Sequence, residues 1–149
     1  MKWIDIPPVW LLGAVVIAWQ TSVIRPFGLS LDFALTQLLG GLLVGGGLVF
    51  MLLAVTEMRK RQTTVVPHRE AQSLVTTGIF KRSRNPIYLG DTLILAGLIL
   101  RWDAPLALIL VPVFVWIIER RFIVPEENML RRKFRADFAR YMEKTRRWL

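Results

Sequence analysis

The residues from Ser73 to Gly90 combine a turn, an arginine and a helix start between two long apolar segments. Gly78 allows a backbone turn that other residues resist. Asn85 and Pro86 form a natural helix start, with asparagine at the N-cap and proline at the first helical position. The free amides of such a helix attract anionic groups, and the planar charged guanidinium of Arg84 suits a carboxylate or a phosphate. The pattern predicts an anion-binding pocket at a membrane surface.

The composition indicates a membrane protein of one domain. The chain has 149 residues, 54% of them hydrophobic, and the apolar residues are clustered into runs longer than a globular core needs. We predict an all-α fold: an integral membrane protein with four transmembrane helices, a cytoplasmic cofactor-binding loop and a C-terminal amphipathic helix. The predicted transmembrane helices span residues 6–24, 33–58, 86–100 and 104–124, and the amphipathic helix spans residues 126–147.

The net charge of +9 is distributed unevenly along the chain. All but two of the lysines and arginines precede the first apolar run, lie between Arg59 and Arg84, or follow Glu119; the other two, Arg25 and Arg101, stand in the opposite connections. This split matches the positive-inside rule and predicts that both termini are cytoplasmic. We therefore explain the excess of basic residues by the membrane topology and by attraction to anionic lipid headgroups, and we exclude nucleic acid as the partner.

Disulfides, thiolate metal sites and cysteine nucleophiles are excluded by the residue types present. The sequence contains no cysteine and a single histidine, His68, so neither a thiolate nucleophile nor a metal cluster can be built. We interpret His68 as a solvated loop residue rather than a catalytic base.

The second apolar segment contains five glycines within eight residues. Phosphate-binding glycine loops follow a strand and open a helix, whereas these glycines lie in mid-membrane. Gly41 and Gly45 therefore predict a seam of small residues at which another helix approaches closely. The partner helix can belong to the same chain or to a second copy in a homo-oligomer.

The C-terminal segment has the pattern of an amphipathic helix that starts at Pro125. Its apolar residues recur at spacings of four, four and three: Leu130, Phe134, Phe138 and Tyr141. Arginines and lysines occupy the other faces. Such a helix lies at the membrane surface, covers the site, or is a solvated helix docked on the protein.

The motifs resemble a known family. Leu74 to Phe80, then Asn-Pro-Ile-Tyr-Leu-Gly at 85–90, then Pro-Glu-Glu-Asn-Met-Leu at 125–130, closely resemble the isoprenylcysteine carboxyl methyltransferase family, which has bacterial homologues and is related to the phospholipid methyltransferases. The resemblance covers about half of the chain, from Thr64 onward. It implies an S-adenosylmethionine-dependent methyltransferase, with S-adenosylhomocysteine as product, in a bacterial or archaeal cell membrane.

The resemblance also implies roles for particular residues. The positions that match the family's cofactor-binding residues are Leu74, Val75, Phe80, Asn85, Pro86, Tyr88 and Glu126. Either Glu126 or Glu127 can neutralise the cationic end of the cofactor, and Arg84 or Arg121 can orient an acceptor that enters from the bilayer. The acceptor is an isoprenoid or lipid carboxylate, or a lipid amine. Without the resemblance, these glutamates read as helix-dipole partners and these arginines as anchors for lipid phosphate.

The chain departs from the eukaryotic members at Asn85, where they have histidine, at Phe80 and Phe138, where tyrosine is usual, and at Arg135, where a glycine follows phenylalanine. These departures affect the acceptor more than the cofactor.

Asp91 has no role that the resemblance carries over; an acid in a membrane helix is a functional candidate, although hydration near the interface explains it equally. Two other classes stay open: a membrane reductase with a nicotinamide cofactor and a noncatalytic membrane scaffold.

Overall fold

The computed structural model describes residues 4–64 and 71–149, so His68 lies outside the described residues. Within these ranges every regular element is helical, in agreement with the predicted all-α class. The α-helices are α1 (Pro7–Ile24), α2 (Ala34–Lys60), α3 (Pro86–Arg101), α4 (Leu110–Ile118), α5 (Val124–Phe134) and α6 (Ala136–Lys144). Short 3₁₀ turns lie at Pro26–Gly28, Gly78–Lys81 and Pro105–Ile109, and a π-helical turn lies at Glu119–Ile123.

Two helices, α1 and α2, are long and apolar enough to cross a membrane. They have 18 and 27 residues, with mean hydropathies of 1.5 and 2.4 in their most apolar windows. Only 11% and 17% of those windows is buried inside the protein. A core helix of a soluble protein would be mostly buried, so the outward apolar surfaces of α1 and α2 suit lipid. The first helix agrees with the prediction to within one residue, and α2 continues two residues further, to Lys60.

The fourth apolar segment is less regular than predicted. We expected one helix over residues 104–124 and a new helix from Pro125. The structure instead has a 3₁₀ turn, then α4, a π-helical turn and α5 in one uninterrupted helical path. The wider π-helical turn ends at Ile123, two residues before Pro125, and lets the helix continue past a residue that lacks an N–H, where a regular helix would clash with the proline ring.

The predicted single helix over residues 126–147 is also wrong. It is divided at Arg135, whose φ of 47° ends α5 and turns the chain into α6. This left-handed region favours glycine, which the resembling family has at this position. The apolar residues of α5 and α6 then pack on the rest of the protein, against Ala54, Val75 and Phe80. The segment covers the protein rather than presenting its apolar face to the surroundings.

Helix α3 lies at the centre and packs against α1, α2 and α4. Its contact with α2 depends on paired glycines, because a Cβ at Gly40 would lie 2.9 Å from Gly97 O and one at Gly47 would lie 2.6 Å from Gly90 O. The predicted Gly41–Gly45 seam is therefore displaced to a seven-residue repeat. The close partner belongs to the same chain, and nothing lies within 4 Å of a Cβ at Gly45.

The end of α3 opposite Pro86 is fixed by Asp103. Its carboxylate accepts hydrogen bonds from Ser30 Oγ at 2.6 Å and from Leu31 N at 2.7 Å. These two bonds hold the pKa of Asp103 below its usual value. They join the connection between α1 and α2 to the turn after α3.

Candidate functional site

A cavity of about 280 Å³ lies around the first turns of α3. Its walls come from the start of α1, from α2, from the segment between α2 and α3, and from α5 and α6. The lining residues are Ile6, Pro7, Pro8, Met51, Met58, Thr63, Thr64, Ala71, Ser73, Leu74, Val75, Phe80, Arg84, Asn85, Pro86, Ile87, Tyr88, Asp91, Glu126, Glu127, Met129, Leu130, Phe138 and Tyr141.

The structure brings together nearly all of the residues that the sequence singled out. Those lining the cavity are Leu74, Val75, Phe80, Asn85, Pro86, Tyr88, Glu126 and Glu127, together with Arg84. They come from three separate stretches of sequence, and α3 and α5 position them around one space. Of the predicted site residues, Arg121 alone does not line the cavity.

The loop before α3 is anchored to the end of α2. Gly78 adopts a φ of +61°, and a Cβ at this position would lie 2.7 Å from Glu57 Oε2. The hydroxyl of Thr77 donates a hydrogen bond to Glu57 Oε1. The predicted turn at Gly78 is confirmed, and the close approach to Glu57 gives a second reason for glycine. The anchored turn holds Phe80 and Val75 against the cavity.

Helix α3 begins at Pro86 with Asn85 at the N-cap, as predicted. The side chain of Asn85, however, makes no capping hydrogen bond. Its Nδ2 instead donates to the carbonyl oxygen of Arg147 at 3.0 Å, and the amide of Arg84 donates to the carbonyl oxygen of Arg146 at 3.0 Å. The C-terminal segment therefore holds the helix start, and the side chain of Asn85 does not occupy the first amides of α3.

Tyr88 and Glu126 are joined across the cavity. The hydroxyl of Tyr88 donates a hydrogen bond of 2.6 Å to Glu126 Oε1, and the tyrosine is 8% exposed. Because Tyr88 lies in the first turn of α3 and Glu126 in the first turn of α5, this bond fixes the relative position of the two helices. It also orients the carboxylate of Glu126 at the cavity wall.

Glu127 is 5% exposed and is held by two arginines. Arg147 donates to its two carboxylate oxygens from Nε at 2.9 Å and from Nη2 at 2.8 Å, and Arg84 Nη2 lies 3.4 Å from Oε1. Arg147 also donates to Glu119. The hydrogen bonds to Glu127 raise the pKa of Arg147. Glu127 is thus already neutralised by the protein. Glu126 accepts a hydrogen bond from the hydroxyl of Tyr88 instead.

Arg147 was not among the predicted residues. In the sequence it belongs to a basic run that reads as a solvated face. Trp148 carried a usable signal, because tryptophan is highly buried on average and therefore favours a packed segment. In the structure Trp148 packs against the core cluster around α3 and α4.

The side chain of Arg84 is mostly buried, with 13% of it exposed. Burial lowers its pKa from the usual value. Its Nε is buried and has no hydrogen-bond partner among the described residues. An unsatisfied buried donor is costly, so Arg84 Nε is a donor whose acceptor is absent from the described residues.

Helix α6 closes the cavity with two aromatic residues. Phe138 is 1% exposed, and Tyr141 donates a hydrogen bond of 2.6 Å to the carbonyl oxygen of Phe80. Burial raises the pKa of Tyr141, which keeps the hydroxyl protonated as a donor. The bond ties α6 to the loop before α3 and excludes water from this side.

Arg121 lies elsewhere, at the π-helical turn. Its guanidinium donates to Asp5 at 3.1 and 2.6 Å and lies over the ring of Trp10, 5.2 Å from the centroid. These contacts tie the start of α1 to the end of the fourth apolar segment. The expectation that Arg121 orients an acceptor does not fit this position, and Arg84 is the arginine at the cavity.

The charges that line the cavity are opposite in sign to the charge of the whole chain. Three carboxylates line it, those of Asp91, Glu126 and Glu127, against one cation, that of Arg84, among the described residues. The chain as a whole has a net charge of +9. Glu127 is already paired with Arg84 and Arg147, which leaves Asp91 and Glu126 as the other acids at the wall, and acids at a cavity wall attract cationic ligand groups.

Comparison with protein families matches residues 35–137, about two thirds of the chain, to the family described as phospholipid methyltransferase. Searches of curated proteins and of solved structures give no match. The matched range includes nearly all of α2, all of α3 and α5, and most of the residues that line the cavity; the lining residues outside it are Ile6, Pro7, Pro8, Phe138 and Tyr141. The predicted relation to the isoprenylcysteine carboxyl and phospholipid methyltransferases is thereby confirmed, and the family and the two apolar helices support a membrane-located methyltransferase. The chain belongs to the phospholipid methyltransferase family.

Proposed function

We propose that this protein transfers a methyl group from S-adenosylmethionine to a lipid-soluble acceptor at the cytoplasmic face of the membrane. The observation that carries the proposal is the cavity itself. It combines the carboxylate of Glu126, the uncapped start of α3 and the unsatisfied Nε of Arg84 within one partly closed space.

The chemistry of these groups fits the cofactor, which has a cationic amine, a sulfonium and a carboxylate. Glu126 suits the cationic end, and the first amides of α3 together with Arg84 Nε suit the carboxylate. Leu74, Val75 and Phe80 offer apolar surface for the adenine ring. The volume of about 280 Å³ lies close to the lower bound of ~300 Å³ for pockets that take small molecules.

The residues of the cavity suit a reaction that depends mainly on position. The cofactor supplies an electrophilic methyl group with a good leaving group, so the protein has to align two reactants and exclude water. The bond between Tyr88 and Glu126 aligns α3 with α5, and Phe138 and Tyr141 cover the site. Such a reaction requires neither a nucleophilic side chain nor a metal.

The membrane arrangement that suits this reaction has four crossings with both termini in the cytoplasm. The crossings are α1, α2, α3 and the segment from Pro105 through the π-helical turn. Helix α3 has 16 residues and rises ~24 Å, less than the ~30 Å of a hydrocarbon core. Its start therefore lies at headgroup depth, where a cofactor from the cytoplasm and a lipid from the bilayer can meet.

Titration calorimetry with the purified protein in detergent tests the proposal. We expect saturable binding of S-adenosylhomocysteine and no binding of NADPH. Binding of NADPH alone would overturn the proposal in favour of a reductase, and binding of neither would leave a noncatalytic role.

A further inference from the structure

Two arginines share the buried carboxylate of Glu127 unequally. Arg147 donates a hydrogen bond to each of its oxygens, from Nε to Oε1 at 2.9 Å and from Nη2 to Oε2 at 2.8 Å. Arg84 Nη2 lies 3.4 Å from Oε1, which is longer than either of these bonds. Arg147 therefore occupies both oxygens, and Arg84 is left with a long contact to one of them.

Arg147 does not line the cavity, but it is fixed to the elements that do. Its third nitrogen, Nη1, donates to Glu119, the first residue of the π-helical turn. Its carbonyl oxygen accepts a hydrogen bond of 3.0 Å from Asn85 Nδ2 at the start of α3. Because a guanidinium is a rigid planar fork, two acids on different helical turns hold it in one orientation.

Arg84 is placed to take Glu127 if Arg147 is removed. Its backbone is tied to the carbonyl oxygen of Arg146 at 3.0 Å, and its buried Nε has no hydrogen-bond partner among the described residues. Nε and Nη2 lie on the same edge of the guanidinium, the edge with which Arg147 binds this carboxylate. A buried acid that loses its partner is strongly destabilised, so Glu127 would draw this edge of Arg84 towards itself.

The other cation near Glu127 is a weaker competitor. Arg131 Nη2 lies 4.0 Å from Oε2, and the side chain of Arg131 is 52% exposed. Water solvates a guanidinium at this exposure, so it gains little from a closer contact. Arg84 is mostly buried and gains more.

We propose that Arg147 is a positioning residue that occupies Glu127 and thereby keeps one edge of Arg84 for an anionic group of a ligand in the cavity. This inference rests on the proposed function, in which that group is the carboxylate of the cofactor. One edge of a guanidinium forms a two-point contact with one carboxylate at a time. A contact of Arg84 with Glu127 would therefore exclude the same contact with the ligand.

A purely structural role for Arg147 predicts a different result. If Arg147 only compensates the buried charge of Glu127, its removal lowers stability and leaves Arg84 as it was. The positioning role predicts a change at Arg84 in protein that remains folded. It also predicts that removal of the charge of Glu127 reverses this change, because no acid is then left to capture Arg84.

The test compares Arg147→Met with the double variant Arg147→Met/Glu127→Gln in detergent, below their unfolding temperatures. Calorimetry measures the affinity for S-adenosylhomocysteine. Nitrogen-15 NMR measures hydrogen exchange at Arg84 Nε, a signal that is assigned by its loss in Arg84→Lys. In Arg147→Met we expect an affinity at least ~10-fold weaker and an exchange at least ~10-fold slower than in the parent. In the double variant both should return to within ~3-fold of the parent.

Two further variants complete the design. Arg146→Met makes the same change at the neighbouring exposed arginine, which does not line the cavity, and should leave both quantities within ~2-fold of the parent. Arg147→Lys covers loss of folding in Arg147→Met. Lysine keeps the charge but binds as a point rather than as a fork, so it should change both quantities in the same direction and by less.

Exchange at Arg84 Nε that is equal in the parent and in the folded Arg147 variants would overturn the inference, whatever the parent binds. An affinity in the double variant as weak as in Arg147→Met would also overturn it, because Arg147 would then act through stability alone. A parent that does not bind S-adenosylhomocysteine, with exchange at Arg84 slowed and restored as expected, would support the positioning role and overturn the proposed function.

Discussion

Arg147 and Glu127 form a two-point contact, with Nε and Nη2 of the arginine donating to the two carboxylate oxygens at 2.9 and 2.8 Å. The contact joins the C-terminal segment to α5. The backbone of the same segment accepts hydrogen bonds from Arg84 N and from Asn85 Nδ2. The segment from Arg146 to Arg147 therefore supports the start of α3, whose first residues line the cavity.

Removal of Arg147 should destabilise the protein. Arg147→Met leaves the buried Glu127 with Arg84 at 3.4 Å and the half-exposed Arg131 at 4.0 Å, and breaking buried pairs costs ~3 to 5 kcal/mol. Because Arg147 is one-third exposed and Arg84 remains nearby, we expect the free energy of unfolding to fall by ~2 kcal/mol. This corresponds to a fall of ~4 to 8 °C in the unfolding temperature in detergent. Arg140→Met, at an exposed pair with Asp137, is the control and should shift it by less than ~1 °C. Equal shifts would contradict the role given to Arg147.

The two adjacent glutamates should respond differently to the same substitution. Glu126→Gln keeps an acceptor for Tyr88 but removes the charge at the cavity wall, so binding of S-adenosylhomocysteine should weaken at least ~10-fold at unchanged stability. Glu127→Gln leaves two arginines without their shared acid, so its main effect should be a lowered unfolding temperature. Calorimetry and thermal unfolding of both variants separate these outcomes. Unchanged affinity in a folded Glu126→Gln variant would reduce Glu126 to a helix-packing residue.

The glycine contact between α2 and α3 predicts a sharp contrast between neighbouring positions. Gly47→Ala places a Cβ 2.6 Å from Gly90 O, and overpacking of this kind costs ~1 to 3 kcal/mol. Gly45→Ala meets nothing within 4 Å and should gain up to ~1 kcal/mol from helix propensity. Thermal unfolding in detergent checks both. Destabilisation of the same size at Gly45 would indicate that this face contacts a second copy of the chain.

The four-crossing arrangement predicts the side on which each connection lies. Reporter fusions after Phe27 and after Asp103 should read as external, and fusions after Lys60 and after Leu149 as internal, because the basic residues are concentrated on one side. A single fusion that reads on the opposite side would contradict the arrangement.

The parts of the site that follow from local backbone chemistry could be predicted from the sequence. Gly78 requires a turn, Pro86 starts a helix, and the glutamates after Pro125 lie in an early helical turn; each follows from a few neighbouring residues. Helix α3 leads away from the cavity, and the segment from Pro105 to Ile123 leads back to it. The start of α3 and the start of α5 therefore meet. This is why the residues chosen from the sequence line one cavity.

The remaining features depend on contacts between distant segments. The pairing of Arg147 with Glu127 requires the reversal at Arg135, whose left-handed backbone nothing in the residue type indicates. The direction in which the side chain of Arg121 points depends on the π-helical turn, because this turn rotates the residues within it relative to their positions in a regular α-helix. The glycines of α2 that contact α3 could not be identified from a motif within α2 alone. Their identification requires knowing that Gly47 faces Gly90 on α3.

Transfer of a radiolabelled methyl group from S-adenosylmethionine into extractable lipid, by purified protein in vesicles that contain an amine lipid, tests the central claim most directly. We predict transfer by the parent, a loss of ~100-fold in Arg84→Lys, equal to ~2.7 kcal/mol in transition-state stabilisation, and near-parent transfer in Arg121→Lys, whose arginine lies outside the cavity. The absence of label in lipid with the folded parent, or equal transfer by the parent and Arg84→Lys, would contradict the account.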